Sequence, residues 1–157
     1  MLRVSKLSDY ATVLLGLLAD APERVRPATD LADAAHLELP TVSKALKLLA
    51  AADLVVSQRG AAGGYRLARS PAAISVAQIV EAIDGPIGMT ECSVQEGQCS
   101  HETHCGVRGP WLRISQVVVG ALRNMTLAEM IGAVPPAATS PPAHAANRSE
   151  RIAIRLA

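Results

Sequence analysis

The sequence predicts a mainly α-helical protein with one small β-hairpin, and three observations carry that expectation. Apolar residues recur at helical spacing through most of the chain, at i, i+3, i+4 and i+7. Only one segment, 54–67, places β-prone residues on both sides of a glycine-rich tip. Two short helices joined by a tight turn stand directly before that segment, so the hairpin takes the position of a wing behind a helix-turn-helix. The fold class expected is therefore a winged helix-turn-helix followed by a long dimerisation helix.

The first helix is expected over about Ser8 to Ala19, with Tyr10, Val13, Leu14, Leu17 and Leu18 on one face. Ser8 is its expected cap, and Asp9 in the first turn suits the helix dipole. A second helix follows over Thr29 to Ala35, with Thr29 as cap. The break at His36–Leu37–Glu38–Leu39–Pro40 leads into a third, Pro40 to Ala52, whose buried stripe is Val42, Leu46 and Leu49 with Ala45 beside it. Proline is tolerated in a first helical turn, where its missing N–H had no partner. The hairpin runs from Leu54 to Leu67, and a short helix from Ser75 to Ile83 follows it.

Residues 84–109 carry all three cysteines among Gly, Glu, Gln, Ser and His, with no convincing period. Helical character returns over Trp111 to Asn124, apolar around much of its circumference. Such a helix needs cover that a small chain lacks, and a partner helix from a second subunit is the economical source. A last short helix is expected at Thr126 to Ile131, with Thr126 and Glu129 at the capping-box spacing. From Gly132 onward, 8 Ala and 4 Pro within 26 positions read as a disordered tail. The division expected is 1–85 for a DNA-binding domain, 86–109 for a cysteine loop, 110–131 for the dimerisation segment and 132–157 for the tail.

Composition narrows the functions. The 157 residues are 50% hydrophobic and 18% charged, enough for a core without staples. Phe is absent and the only aromatics are Tyr10, Tyr65 and Trp111, so the core must be aliphatic and a base-stacking platform for single strands is excluded. No apolar run approaches the roughly 18 residues of a membrane span, and the order of a secretory signal is missing. A cytoplasmic protein without membrane contact is expected. The net charge of +1 conceals an asymmetry. Residues 40–70 hold Lys44, Lys47, Arg59, Arg66 and Arg69 against Asp53 alone, whereas residues 71–107 hold Glu81, Asp84, Glu91, Glu96 and Glu102 and no Lys or Arg. The first segment suits a polyanion, the second a cation.

A helix-turn-helix sets its second helix into the major groove of double-stranded DNA. The exposed residues at the start of that helix are Thr41, Ser43 and Lys44, with Glu38 from the turn. Lys47, one turn on, is placed for the phosphate backbone. Arg59 and Gly60 at the wing tip suit a narrow minor groove and a close main-chain approach. Cys92, Cys99 and Cys105 have spacing C-x6-C-x5-C, with His101 and His104 nearby. Paired C-x2-C ligands, common in structural zinc sites, are absent, and the looser spacing fits a larger cluster. Enzyme readings are weak: no phosphate loop, no nucleophile elbow, and Cys105 beside His104 points the wrong way for a dyad.

The opening Met1-Leu2-Arg3-Val4-Ser5-Lys6-Leu7-Ser8-Asp9-Tyr10-Ala11 resembles the IscR/NsrR-type family of bacterial winged-helix regulators. So do the wing Arg59-Gly60-Ala61-Ala62-Gly63-Gly64-Tyr65, the helix around Ile79-Val80-Glu81-Ala82-Ile83-Asp84-Gly85, the cysteine loop, and Asn124-Met125-Thr126-Leu127. The likeness covers about residues 1–131, and its N-terminus looks most like the branch that regulates SUF-type iron–sulfur assembly operons. The resemblance implies a homodimer paired through the helix near Trp111 to Asn124, an iron–sulfur cluster (2Fe-2S or 4Fe-4S) held by Cys92, Cys99 and Cys105, and cluster-dependent repression of target genes. The fourth ligand departs from the pattern. One branch uses a His three residues after the last Cys, where this chain has Arg108; another uses an Asp of the first helix from the partner subunit, where Asp9 aligns. Asp9, His104 and His101 are the candidates, in that order.

The leading expectation is thus a dimeric DNA-binding transcriptional repressor that senses iron–sulfur or redox status. Two alternatives stand beside it. One is a cluster or metal scaffold that uses the winged helix as a protein dock. The other is a regulator without metal whose cysteines act as thiol switches.

Overall fold

The computed structural model describes residues 4–60 and 62–132. Of the expected tail, 132–157, residues 133–157 lie outside the described residues, as do Met1, Leu2, Arg3 and Ala61 of the quoted motifs. Helices α1 (Lys6–Ala19), α2 (Ala28–Ala35) and α3 (Leu39–Ala51) come first, then strands β1 (Val55–Gln58) and β2 (Gly64–Leu67). Helices α4 (Val76–Asp84), α5 (Glu91–Val94), α6 (Arg108–Asn124) and α7 (Leu127–Met130) complete the chain. The strands pair antiparallel, Val55 opposite Leu67 and Gln58 opposite Gly64.

The core is aliphatic, as the absence of Phe requires. Leu14, Leu15, Leu18, Leu31, Leu46, Leu49, Ile74, Ile79 and Leu127 are fully enclosed in one cluster. The α3 stripe is the expected one, Val42, Ala45, Leu46 and Leu49. The face of α1 is not. Ala11, Leu14, Leu15 and Leu18 point inward, Val13 stands exposed, and Tyr10 and Leu17 are half-buried. The segment is apolar nearly all round, so a one-residue change of phase fits the period equally well. The small Ser8 and Ala11 decide it by letting α1 lie close against the core.

Two expected caps also shift. Ser5, not Ser8, caps α1, accepting from the Ser8 N–H at 3.1 Å. Ser8 is itself 1% exposed and donates its hydroxyl to Asp84 at 2.8 Å. A buried hydroxyl needs a partner, and this one ties α1 to the end of α4. Helix α2 begins at Ala28 with Pro27 before it, so Thr29 lies inside the first turn and caps nothing. The Thr126–Glu129 capping box of α7 forms as the spacing requires. Two hydrogen bonds from Thr126 hold the Glu129 carboxyl below its usual range.

The turn between α2 and α3 is set by His36, whose left-handed backbone (φ 53°) ends α2 while its N–H bonds back to Asp33. Behind the wing, Arg26 acts as a one-residue third strand. Its N–H donates to the Tyr65 carbonyl at 2.9 Å and its carbonyl accepts from Tyr65 at 2.8 Å. Its guanidinium also donates to the Leu17 carbonyl at 2.9 Å, which fastens the wing to α1. Gly64 permits this approach, because a Cβ there would overlap the Arg26 carbonyl and sit 2.8 Å from the Pro27 nitrogen. Gly64→Ala should therefore open this bridge and cost about 1–3 kcal/mol, the range for overpacking a tight contact. Thermal melts of the full chain check this; an unchanged Tm would mean that the backbone absorbs the methyl group.

The chain closes on itself at the far end. The Val76 N–H donates to the Met125 carbonyl at 2.9 Å and the Leu127 N–H to the Ile74 carbonyl at 2.8 Å, so the chain after α6 returns to the core, where Leu127 and Ala128 are buried.

Candidate nucleic-acid interface and cysteine loop

Helix α3 turns one face outward. Glu38, Lys44 and Lys47 are exposed on it, and Thr41 and Ser43 are half-buried at its margin. Glu38 stands at the N-cap position without bonding its side chain to the helix, and no acidic residue lies in the first turn. Among the described residues the ion pairs are Arg108 with Glu96 and Glu102, and Arg123 with Glu81. Lys44, Lys47 and Arg59 join none of these, so their charges remain available to phosphate. Arg59 is exposed just beyond β1, and Gly60 turns the tip with φ 111°, its carbonyl accepting from Gly63 at 2.9 Å.

The same face holds two residues that the sequence reading passed over. Leu39, 42% exposed, and Pro40 form the outer side of the first turn of α3. An apolar side chain there suits a thymine methyl group in the major groove. Pro40 lies off the Val42–Leu46–Leu49 stripe and so had no place in the core, whereas Leu39 continues that stripe by period and only the fold leaves it exposed.

The cysteine region is more ordered than its composition suggests. A capping box between Thr90 and Ser93 forms the one-turn α5, which holds Cys92 with its sulfur 3.3 Å from the Thr90 hydroxyl. Ser93 Oγ accepts from Met89 and Thr90 N–H, each at 2.9 Å. The Met89 N–H also reaches Ser115 Oγ at 2.9 Å, and Ser115 is the one buried residue of α6. Cys92 is thus anchored to α6 through two serines. A 3-10 turn, Glu102–His104, lies between Cys99 and Cys105. Glu102 accepts from the Gly97 N–H at 2.6 Å and pairs with Arg108 at 2.6 Å.

All three cysteines are free and half-buried. Among the described residues no three His, Cys, Asp or Glu side chains stand close enough to hold a metal ion. Asp9 is exposed on α1, and His101 and His104 are exposed beside the thiols, His104 Nδ1 lying 2.8 Å from the Thr103 hydroxyl. The donor set fits an iron–sulfur cluster in kind, three thiols on one solvent-reachable loop. In this conformation it does not fit in geometry, because the described residues do not bring three such side chains together. Arg108 contributes no ligand, since a guanidinium stays protonated.

Helix α6 begins at Arg108, three residues before the expected start, with Pro110 tolerated in its first turn. Its outer side is apolar and bare: Trp111 is 39% exposed, Ile114 45% and Val117 73%, with Val107 just before them. No described helix is long and apolar enough to cross a membrane.

A helix-turn-helix with an open basic face, in no ion pair among the described residues, and a hairpin wing beside it defines a DNA-binding transcriptional regulator. Residues 4–133 match the Rrf2 family, described as iron-dependent transcriptional regulators, and the chain belongs to that family. It is similar to the HTH-type transcriptional regulator IscR of Vibrio cholerae, 29% identical over 131 residues that cover 83% of this chain and 75% of the relative. The IscR of Serratia proteamaculans is likewise 29% identical, over 83% of this chain and 79% of the relative. Among solved structures, CymR, the global cysteine regulator of B. subtilis, superposes with a TM-score of 0.64 at 28% identity, over 85% of this chain and 99% of that one. T. potens IscR superposes with a TM-score of 0.60 at 26% identity, over 84% and 88%. These named relatives are regulators, not enzymes.

Proposed function

We propose that this protein is a homodimeric, cytoplasmic repressor of iron–sulfur assembly genes, that Cys92, Cys99 and Cys105 hold an iron–sulfur cluster, and that the state of this loop sets operator affinity. The observation that carries the reading is the linkage of the loop to α6. Cys92 is fastened to that helix through Ser93 and Ser115, and the 99–105 segment through Arg108. The bare face of α6 is the surface on which two chains pair, so a change in the loop bears on the spacing of two recognition helices. Asp9 of the partner subunit is the proposed fourth ligand, ahead of His104 and His101. A bound cluster would supply lability toward oxidants and iron scarcity. Glu38, Thr41, Ser43 and Lys44 read base edges, Lys47 holds phosphate, and Arg59 with Gly60 enters the minor groove. The segments 1–85, 86–109 and 110–131 divide the labour accordingly: DNA contact, sensing and pairing.

A second reading is a thiol switch without metal. It is favoured by the free, unconverged cysteines and by the likeness to a cysteine regulator. Anaerobic purification followed by an ultraviolet–visible spectrum, with iron and sulfide counted per chain, separates the two. A brown protein absorbing between about 320 and 460 nm, colourless as Cys92→Ser, supports the cluster. A colourless wild-type protein after reconstitution removes it and leaves the thiol reading.

A further inference from the structure

The segment that carries Cys99 and Cys105 is closed by a single carboxylate. One oxygen of Glu102 accepts from the Gly97 N–H at 2.6 Å, and the other takes the Arg108 guanidinium at 2.6 Å. Glu96 approaches the same guanidinium at 3.3 Å. Gly97 precedes Cys99 and Arg108 follows Cys105, so these bonds pin both ends of the stretch that holds the two thiols. The pair is sheltered: the Glu102 side chain is 12% exposed and that of Arg108 32%. Sheltering reduces screening by water and salt, which makes such a pair more effective than the usual surface one.

Two further features mark this closure as able to open. Arg108 Nε is buried and has no hydrogen-bond partner. An unsatisfied buried donor offsets part of what the ion pair contributes. The other feature is position. Arg108 is the first residue of α6, where the helix is least constrained by its own backbone bonds. Cys99 lines the same cleft as Glu102 and Arg108, so opening the pair uncovers that thiol directly.

We infer that Glu102 and Arg108 are positioning residues for the thiol loop: their ion pair holds the segment of Cys99 and Cys105 closed and these thiols half-covered, and it must open before they converge with Cys92 or react. The inference rests on the proposed sensing role of the loop and names how that loop is held. It accounts for three donors on one short segment that nevertheless do not gather. It also gives Arg108, which supplies no ligand, a task at the junction between loop and dimerisation helix.

The test is site-resolved alkylation of the full chain, reduced and stripped of metal with a chelator, pulsed with iodoacetamide and read by mass spectrometry. Arg108→Ala and Glu102→Gln should each speed modification of Cys99 and Cys105 by about five-fold, the upper end for a half-sheltered ion pair. Cys92, held by Thr90 and Ser93, should keep its wild-type rate. Arg108→Lys, which keeps the charge but not the fork, should fall between. Wild-type rates at Cys99 and Cys105 in both variants would overturn the inference. Equal acceleration at all three cysteines would overturn it too, because that is general loosening. Operator affinity measured in parallel keeps the two claims apart. If the wild-type affinity is itself indifferent to oxidation and to iron, matching the variant with all three cysteines replaced by serine, the sensing reading fails while the alkylation rates still decide the ion pair.

Discussion

Val117→Asp should separate the proposed dimer and, with it, abolish operator binding. Val117 is 73% exposed in the single chain and lies on the same outer side of α6 as Trp111 and Ile114. Burying a valine side chain contributes about 1.5–3 kcal/mol. A two-fold interface uses each residue twice, so the loss is about 4 kcal/mol, on the order of a thousand-fold in dimer affinity, before the desolvation of two carboxylates is added. Sedimentation of the full chain at micromolar concentration should show a dimer for the wild type and a monomer for the variant. The fold itself should persist, because Val117 touches no part of the core described above. A variant that stays dimeric would place the interface elsewhere, and a wild-type monomer would leave the bare face of α6 without its proposed cover.

Lys44→Glu should weaken operator binding by at least about a hundred-fold, since a charge-assisted hydrogen bond contributes roughly 1.5–3 kcal/mol and two half-sites lose one each. Lys44 is exposed on α3 and joins no ion pair among the described residues, so the substitution disturbs no internal partner. Lys47→Ala separates phosphate contact from base reading. Each phosphate contact contributes about 0.9 to the slope of log affinity against log salt, so losing one per subunit should flatten the slope by about 1.8. It should also weaken specific and non-specific DNA alike. Lys44→Glu should cut more deeply into the preference for the operator over random sequence. A fluorescence anisotropy series at several salt concentrations reads all of these quantities. Equal affinity of Lys44→Glu and wild type would remove α3 from the interface.

The pattern of helices, hairpin and turns was legible because each rests on local rules. The α3 stripe of Val42, Ala45, Leu46 and Leu49 admits one phase only, and the Thr126–Glu129 box is a spacing with a single physical meaning. Helix α1 admits two phases, because Val13, Leu14, Leu15, Leu17 and Leu18 leave no polar side to orient it. Ser8 was misread for a related reason. Sequence offers two serines at capping distance, and only the partner Asp84, 76 residues away, shows which one is buried. Arg26 and Tyr65 also pair across a long gap in the chain, and nothing local to either residue announces a third strand.

The site divides in the same way. The basic outer face of α3 could be read because exposure follows from the helical period once the stripe is known. The cysteine loop could be recognised by its residue types, but not its conformation. Its order comes from Ser93, Ser115, Glu102 and Arg108, polar groups whose bonds depend on how loop and helix meet. Leu39 was not legible as a surface residue because its spacing continues the Val42–Leu46–Leu49 stripe, and only the fold exposes it at the end of the helix where a thymine methyl group can be met.

The coupling between loop and operator is best measured as the affinity of the full chain for its operator in three states: anaerobically purified, oxidised, and with all three cysteines replaced by serine. Fluorescence anisotropy at one fixed salt concentration suffices. If the loop governs DNA binding, the wild-type affinity should differ between the first two states by about ten-fold or more, within the usual range of coupling between two sites. The serine variant should hold one value in both conditions. A wild-type protein that binds equally tightly before and after oxidation, indistinguishable from the serine variant, would show that the cysteine loop does not control the operator.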